Sequence, residues 1–229
     1  MNVNIINNFY IPGPANPNAA NSAKRGRIIA IDKNTNNPSL AYYDKWGTFF
    51  IDGNFVEGRP DVTADNWNLG VYNQFHSSYG AVPQAEKDAM KRPAPLDPGA
   101  VTTHSVQDAL TLVLNYAGCS LRRDSIDERI ISEARDRKTT FKGGKSGRSG
   151  IIDSVLDLKP AGAGDDWLPW PELKSGTPVV DSDGDGIPDG WLEANYPNKT
   201  ANDLTAEGYT LLEEYLNGLV KHIIYGGIL

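Results

Sequence analysis

The chain has 229 residues, 39% hydrophobic and 22% charged, enough apolar material for one sizeable core or two small ones, which excludes a disordered chain. Its formal net charge of −7, with basic residues scattered, argues against nucleic acid as a partner. The same balance disfavours a polyanionic substrate unless a divalent cation mediates the contact.

A single cysteine, Cys119, excludes an internal disulfide and cannot form a zinc site alone; late in an apolar helical pattern, it reads as a small buried thiol. The 23 Gly and 15 Pro favour many short strands over a helical bundle. No apolar run approaches the length of a membrane span, and the N-terminus shows no basic-plus-apolar signal region. Met1 leads at once into a strand pattern through Tyr10, so further protein is expected upstream.

Taken in order, residues 1 to about 75 read as all-β. Val3 to Ile6, Arg27 to Ile31 and Thr48 to Ile51 are β-branched or aromatic runs bounded by turn residues. Asn7-Asn8 and Asp52-Gly53-Asn54 supply reversals, because Asn, Asp and Gly tolerate left-handed backbone. Asn8-Phe9-Tyr10 before Pro12-Gly13-Pro14 is echoed by Asn54-Phe55-Val56 before Gly58-Arg59-Pro60, an offset suited to stacked coils. Stacked asparagines would then pair backbone groups between coils. A β-sandwich with Asn-rich hairpins is the alternative.

Asp61 to Pro98 reads as irregular. Its Trp67, Tyr72, Phe75 and Tyr79 either cap the open end of a solenoid or stack on sugar rings, and packing is favoured because aromatics more often pack than bind. Ser105 with Asp108 forms a capping box for a helix through Val106, Leu110, Val113 and Leu114, ended by Gly118. Asp124 or Ser125 caps a second helix, Ile126 to about Lys138, whose mixed charges form a solvated face. Thr139 to Gly150 is a basic, glycine-rich surface loop. A short helix is expected near Trp191 to Asn195, and a last one from Thr210, where Thr210 and Glu213 match a capping box.

The strongest chemical motif is Asp181-Ser182-Asp183-Gly184-Asp185-Gly186-Ile187-Pro188-Asp189. Asp181, Asp183 and Asp185 occupy positions one, three and five of a calcium loop, and Gly186 permits the sharp turn. Ile187 would offer its backbone carbonyl, and Asp189 would bind directly or through water. Such crowded carboxylates call for a hard divalent cation, and Ca2+ takes six to eight oxygens in flexible geometry. The twelfth position is Leu192 rather than the glutamate of a standard EF-hand; the last ligand is Glu193 after a shift, or a residue further along such as Glu213. An acidic turn holding no ion is the bland alternative. His76, His104 and His222 show no metal-ligand spacing and read as structural. Arg25, Arg27, Arg59 and Lys91-Arg92-Pro93 are assigned no catalytic role.

Several stretches together resemble the bacterial pectate lyases of the parallel β-helix kind. They are Tyr116-Ala117-Gly118 through Ile130, Gly150-Ile151-Ile152-Asp153-Ser154, Trp170-Pro171-Glu172-Leu173, and Asp181 to Asp189 followed by Gly208-Tyr209-Thr210 and Leu212 to Asn217. Asn7 to Pro14 and Val62 to Trp67 are similar too. The likeness covers nearly the whole chain but only the C-terminal part of a complete enzyme. It implies an all-β dominated right-handed parallel β-helix with a helical, loop-rich extension carrying the calcium loop. It further implies secretion and calcium-dependent β-elimination of polygalacturonate (pectin), an acidic polysaccharide, with the family's catalytic arginine and substrate-bridging calcium ligands on coils upstream.

The expected organisation is therefore β-helix coils with capping loops over 1–100, a helical and loop segment over 101–175, and the calcium-loop segment over 176–229. Two other readings stay open. One is a non-catalytic, calcium-stabilised polysaccharide-binding module, with sugar on the aromatic loops. The other is a dockerin-like protein-docking module, which would ordinarily pair two calcium loops.

Overall fold

The first two apolar runs pair with the next two at a constant offset. In a computed structural model describing residues 1–15 and 23–226, β1 (Asn2–Ile6) and β2 (Phe9–Tyr10) are followed by β3 (Thr48–Asp52) and β4 (Phe55–Val56). β1 lies parallel to β3 with Asn2 opposite Thr48 and Ile6 opposite Asp52, and β2 lies parallel to β4 with Phe9 opposite Phe55. The sequence echo and the ladder thus share one register.

The bend between strands recurs in the same register. Asn7 and Gly53 both adopt positive φ, 54° and 68°, which reverses the chain between β1 and β2 and between β3 and β4. A Cβ at Gly53 would strike the Asn7 carboxamide, so glycine is required there on two counts. One residue on, Asn54 is 1% exposed and closes the stack. Its Oδ1 accepts the Asn8 amide at 3.0 Å and the Asn8 carboxamide at 2.9 Å, while its Nδ2 donates to the Ile5 carbonyl at 2.8 Å. Asn66 locks it from the other side, accepting the Asn54 amide at 3.0 Å and donating to the Asn54 carbonyl at 2.9 Å.

The all-β expectation is overturned. Among the described residues the strands are two parallel pairs of two to five residues, whereas α1 (Pro60–Ala64), α2 (Gln84–Met90), α3 (Val106–Tyr116), α4 (Ser125–Asp136), α5 (Asp189–Asn195) and α6 (Leu211–Gly226) are helical. The chain is not an all-β parallel β-helix. The physical reason lies in the sequence after Val56: Pro60 takes the first helical position, where its missing N–H costs nothing, and helix formers fill Gln84–Met90. Both helices fall in the stretch expected to be irregular. The strand expected at Arg27 to Ile31 is also absent, because the consecutive amides of Ile28 and Ile29 both turn to the Gly70 carbonyl, at 3.0 and 3.4 Å. A ladder cannot form from successive amides sharing one acceptor.

The residues divide into two units, Met1–Leu114 with Ser132–Ala161 and Asn115–Ile131 with Gly162–Leu229. In the first, Ile31, Phe49, Ile51, Trp67, Val71 and Met90 are buried beneath half-buried Val3, Ile5, Trp46, Tyr72 and Phe75. Trp67 is 4% exposed and donates its indole N–H to the Ile51 carbonyl at 3.1 Å. Trp46 packs edge-on against Phe75 and Tyr79 at 5.4 and 5.1 Å between centroids. These aromatics are packing groups. Tyr72 donates its hydroxyl to Asp88 at 3.0 Å, and burial together with that carboxylate pushes its phenol up to about 12. In the second unit Ile187, Ala201 and Leu211 are buried under Trp191, Leu192, Tyr196, Leu212 and Tyr215.

Helix caps follow the expected residues. Ser105 and Asp108 bond reciprocally at the start of α3, Asp124 accepts the amides of Ile126 and Asp127 at the start of α4, and Thr210 and Glu213 do the same work for α6. Cys119 is exposed rather than buried, since α3 ends at Tyr116 and Gly118 at φ 78° turns the chain away before it.

The buried asparagine carries the first prediction. Asn54→Ala leaves the part-buried Asn8 amide and Ile5 carbonyl without their side-chain partner, while Asn66 keeps its bonds to the Asn54 backbone, and an unpaired buried group costs about 1–3 kcal/mol. Urea unfolding should show a loss of at least about 2 kcal/mol, whereas Asn68→Ala at an exposed site should change stability by less than about 0.5 kcal/mol.

Candidate metal centre

The loop before α5 folds around its own carboxylates. Asp181 Oδ1 accepts the amides of Gly184 at 2.9 Å and Asp185 at 3.2 Å, and its Oδ2 accepts Gly186 at 3.1 Å. Gly186 sits at φ 93°, a left-handed conformation that lets its N–H turn inward. Ser182 donates its amide to Asp189 Oδ1 at 2.8 Å and its hydroxyl to Oδ2 at 2.6 Å, tying the two ends of the loop together.

The result is a gathered set of hard oxygen donors. One carboxylate oxygen each from Asp181, Asp183 and Asp189 lies within 4.8 Å of the others. Oxygens converging at this spacing suit Ca2+, whose ligands stand about 2.3–2.6 Å from the ion. The donor set is all carboxylate, which fits calcium or magnesium rather than a thiolate-seeking metal.

The remaining residues of the expected set lie elsewhere in the loop or beyond it. Asp185 accepts Ile187 N at 2.9 Å on Oδ1 and Ala201 N at 3.3 Å on Oδ2. It therefore clips the loop to the buried Ala201, and Ile187, 1% exposed, plugs its own side chain into the same core. Glu213 accepts the amide and the hydroxyl of Thr210, both at 2.8 Å, as the cap of α6. Ser182 was not singled out from the sequence; its place between two aspartates was the available signal.

Hydrogen bonds favour the ionised form of two of these acids. The Ser182 hydroxyl and amide hold the Asp189 carboxyl below the usual carboxylate range. Two bonds from Thr210 do the same for Glu213. A carboxylate whose folded pKa is depressed contributes stability above its ordinary pKa and loses it as pH falls through the depressed value.

Two of the motif stretches also meet in the second unit. Arg122 to Ser125 and Pro171 to Lys174 line one cleft, with Asp124 committed to capping α4 and Glu172 facing Lys174 at 3.8 Å.

No family model matches the chain. Among curated proteins it is similar to the probable pectate lyase C of Aspergillus flavus, 32% identical over 222 residues, covering 96% of this chain and 42% of that protein. It is likewise similar to the probable pectate lyase C of Aspergillus oryzae, 31% identical over 222 residues, again 96% of this chain and 42% of the relative. The protein of that name from Aspergillus fumigatus is 29% identical over 220 residues, covering 95% and 42%. The chain thus spans 42% of the length of these curated relatives. These relatives are fungal, whereas the motifs resembled bacterial enzymes.

A calcium titration followed by thermal unfolding tests the site. Ligand bound only to the folded state stabilises by mass action, about 2.7 kcal/mol at a hundred times the dissociation constant. Added Ca2+ should raise the melting temperature of the wild type, and Asp183→Ala should abolish the rise.

Proposed function

We propose that this chain is part of a polysaccharide lyase of the pectate lyase kind, cleaving polygalacturonate by calcium-dependent β-elimination. The observation that carries this reading is the similarity to proteins named probable pectate lyase C along 96% of the chain. The gathered carboxylates of Asp181, Asp183 and Asp189 support a calcium requirement for folding of the second unit. Asp185, whose oxygens accept the Ile187 and Ala201 amides, and Glu213, which caps α6, stand outside that gathered set.

The chemistry sets what such an enzyme must contain. A base takes the proton alpha to the uronate carboxylate, the electron pair forms a double bond in the ring, and the glycosidic oxygen leaves from the adjacent carbon. Charge building on the carboxylate must be stabilised, the role a bound divalent cation supplies. No residue of this chain is assigned as that base. The loop at Asp181 is a structural site: its oxygens hold backbone amides and its far side is anchored in a core by Ile187. Catalysis therefore falls to parts of the enzyme outside these residues, and a polymeric substrate places the action outside the cytoplasm. The burial of Trp67 and the packing of Trp46 on Phe75 and Tyr79 commit these aromatics to the core rather than to a sugar-stacking surface.

Polygalacturonate incubated with calcium and with the whole gene product carrying this chain should release unsaturated product, followed by ultraviolet absorbance, and a chelator should stop it. No product overturns the lyase reading. Product from residues 1–229 alone would instead place the base within them.

A further inference from the structure

The hydrophobic cluster of the second unit closes on itself. Its buried residues are Ile187, Ala201 and Leu211, and the groups packed on them are Trp191, Leu192, Tyr196, Leu212 and Tyr215. All of them lie within residues 181–226. Aromatic packing stays inside the same span, since Trp191 meets Tyr196 at 5.8 Å and Tyr215 at 5.1 Å between centroids.

Hydrogen bonding obeys the same boundary. The Ala201 amide donates back to Asp185, the Ala201 carbonyl accepts the Leu212 amide at 3.1 Å, and Asp203 accepts the Thr200 amide at 2.8 Å and the Lys199 ammonium at 3.0 Å. Among the described residues, the one hydrogen bond leaving this span runs from the Asp189 amide to the Val180 carbonyl, at 2.9 Å, one residue outside it.

The stretch before it is bare. Ser175 to Val179 has no regular structure, is exposed at every residue, and makes no hydrogen bond or ion pair among the described residues. A Cβ at Gly176 would meet nothing within 4 Å, and Val179 and Val180 stand 65% and 70% exposed although both are apolar. Drawing this strap into the extended form that endoproteases accept therefore breaks no bond, and exposed segments of small residues are where chains are nicked.

Size adds an independent argument. A segment of under about fifty residues rarely holds itself together by its core alone, and relies on disulfides or a metal. The core here has three buried side chains, and the protein's single cysteine, Cys119, lies outside the segment. The staple that remains is the acidic loop, joined to that core through Ile187 and the Asp185–Ala201 bond.

We propose that residues 181–226 are a self-standing module folded by Ca2+, and that the strap Ser175–Val179 is a processing site at which an endoprotease releases it intact. Water adds to a peptide carbonyl of the strap, the C–N bond breaks, and a carboxylate and an amine terminus result. The calcium part of this inference rests on the metal reading of the loop above; the boundary and the cut rest on the closed core and the bare strap.

The test digests the full chain with a broad-specificity serine protease that is active in EDTA. In excess Ca2+, a fragment beginning between Gly176 and Asp181 and containing α6 should accumulate, identified by mass and N-terminal sequencing. Its sole tryptophan, Trp191, should keep the blue-shifted emission of a packed indole. In EDTA the same fragment should disappear at least about tenfold faster, because cleavage follows the population of the open form. Asp183→Ala should lose the fragment at the EDTA rate in both buffers. Absence of the fragment in Ca2+, or cutting inside residues 181–226 as fast as in the strap, overturns the module and its processing site. A fragment that survives equally in EDTA overturns the calcium requirement alone, so failure of the metal reading and failure of the module are separate results.

Discussion

The second unit depends on resolving one electrostatic conflict: three carboxylates whose oxygens come within 4.8 Å of each other. Backbone dipoles answer part of it. The amides of Gly184, Asp185 and Gly186 all turn onto Asp181, and the amide and hydroxyl of Ser182 onto Asp189. Amides supply only partial charges; a hard divalent cation would supply two full ones, and a carboxylate's remaining lone pairs suit it. The loop also reaches into the core. Ile187 and the Asp185–Ala201 bond connect the same nine residues to the hydrophobic cluster with Leu211, so an ion held by the loop would be coupled to the packing of that cluster.

The first unit resolves a different conflict, between buried amides and a dry interior. A parallel ladder only two strands wide leaves many backbone groups at its ends. Asparagine side chains supply the missing partners. Asn54 reaches Asn8 and Ile5, Asn66 reaches Asn54 and Val62, and Asn4 exchanges two bonds with the backbone of Leu96 at 2.8 and 2.9 Å. Because a carboxamide mimics a peptide group, each one extends the ladder by a side chain where no further strand is present. This is why so short a sheet holds register.

How much of this could be read from the residues depended on whether the signal was local. Helix caps are local, and Ser105, Asp124 and Thr210 marked α3, α4 and α6 at the right positions. The acidic loop is local too, and its turn geometry followed from Gly186 and the spacing of its acids. The repeat of Asn8-Phe9-Tyr10 at Asn54-Phe55-Val56 gave the parallel register. Fold class was not legible because β-branched runs near the start make only one five-residue and one two-residue ladder, and Pro60 and Gln84–Met90 then commit the chain to helix. Arg27 to Ile31 has strand composition, yet the Gly70 carbonyl, forty residues on, decides its hydrogen bonding, and no local pattern encodes that. Cys119 failed on a single residue, the glycine before it.

Charge distribution, rather than total charge, decides whether the proposed polyuronate substrate is compatible with this chain. A net charge of −7 disfavours a polyuronate for the molecule as a whole, but repulsion is screened beyond about 8–10 Å at physiological salt, so what a substrate meets is the local field. The acids that dominate the count are partly spent on amides at Asp181, Asp189, Asp153 and Asp157 or on ion pairs at Asp61 and Glu57. The cations at Lys24, Arg25 and Arg27 sit in a stretch with no acid before Asp32. What a ligand meets at any point is therefore set by the groups around it, and not by the sum over 229 residues.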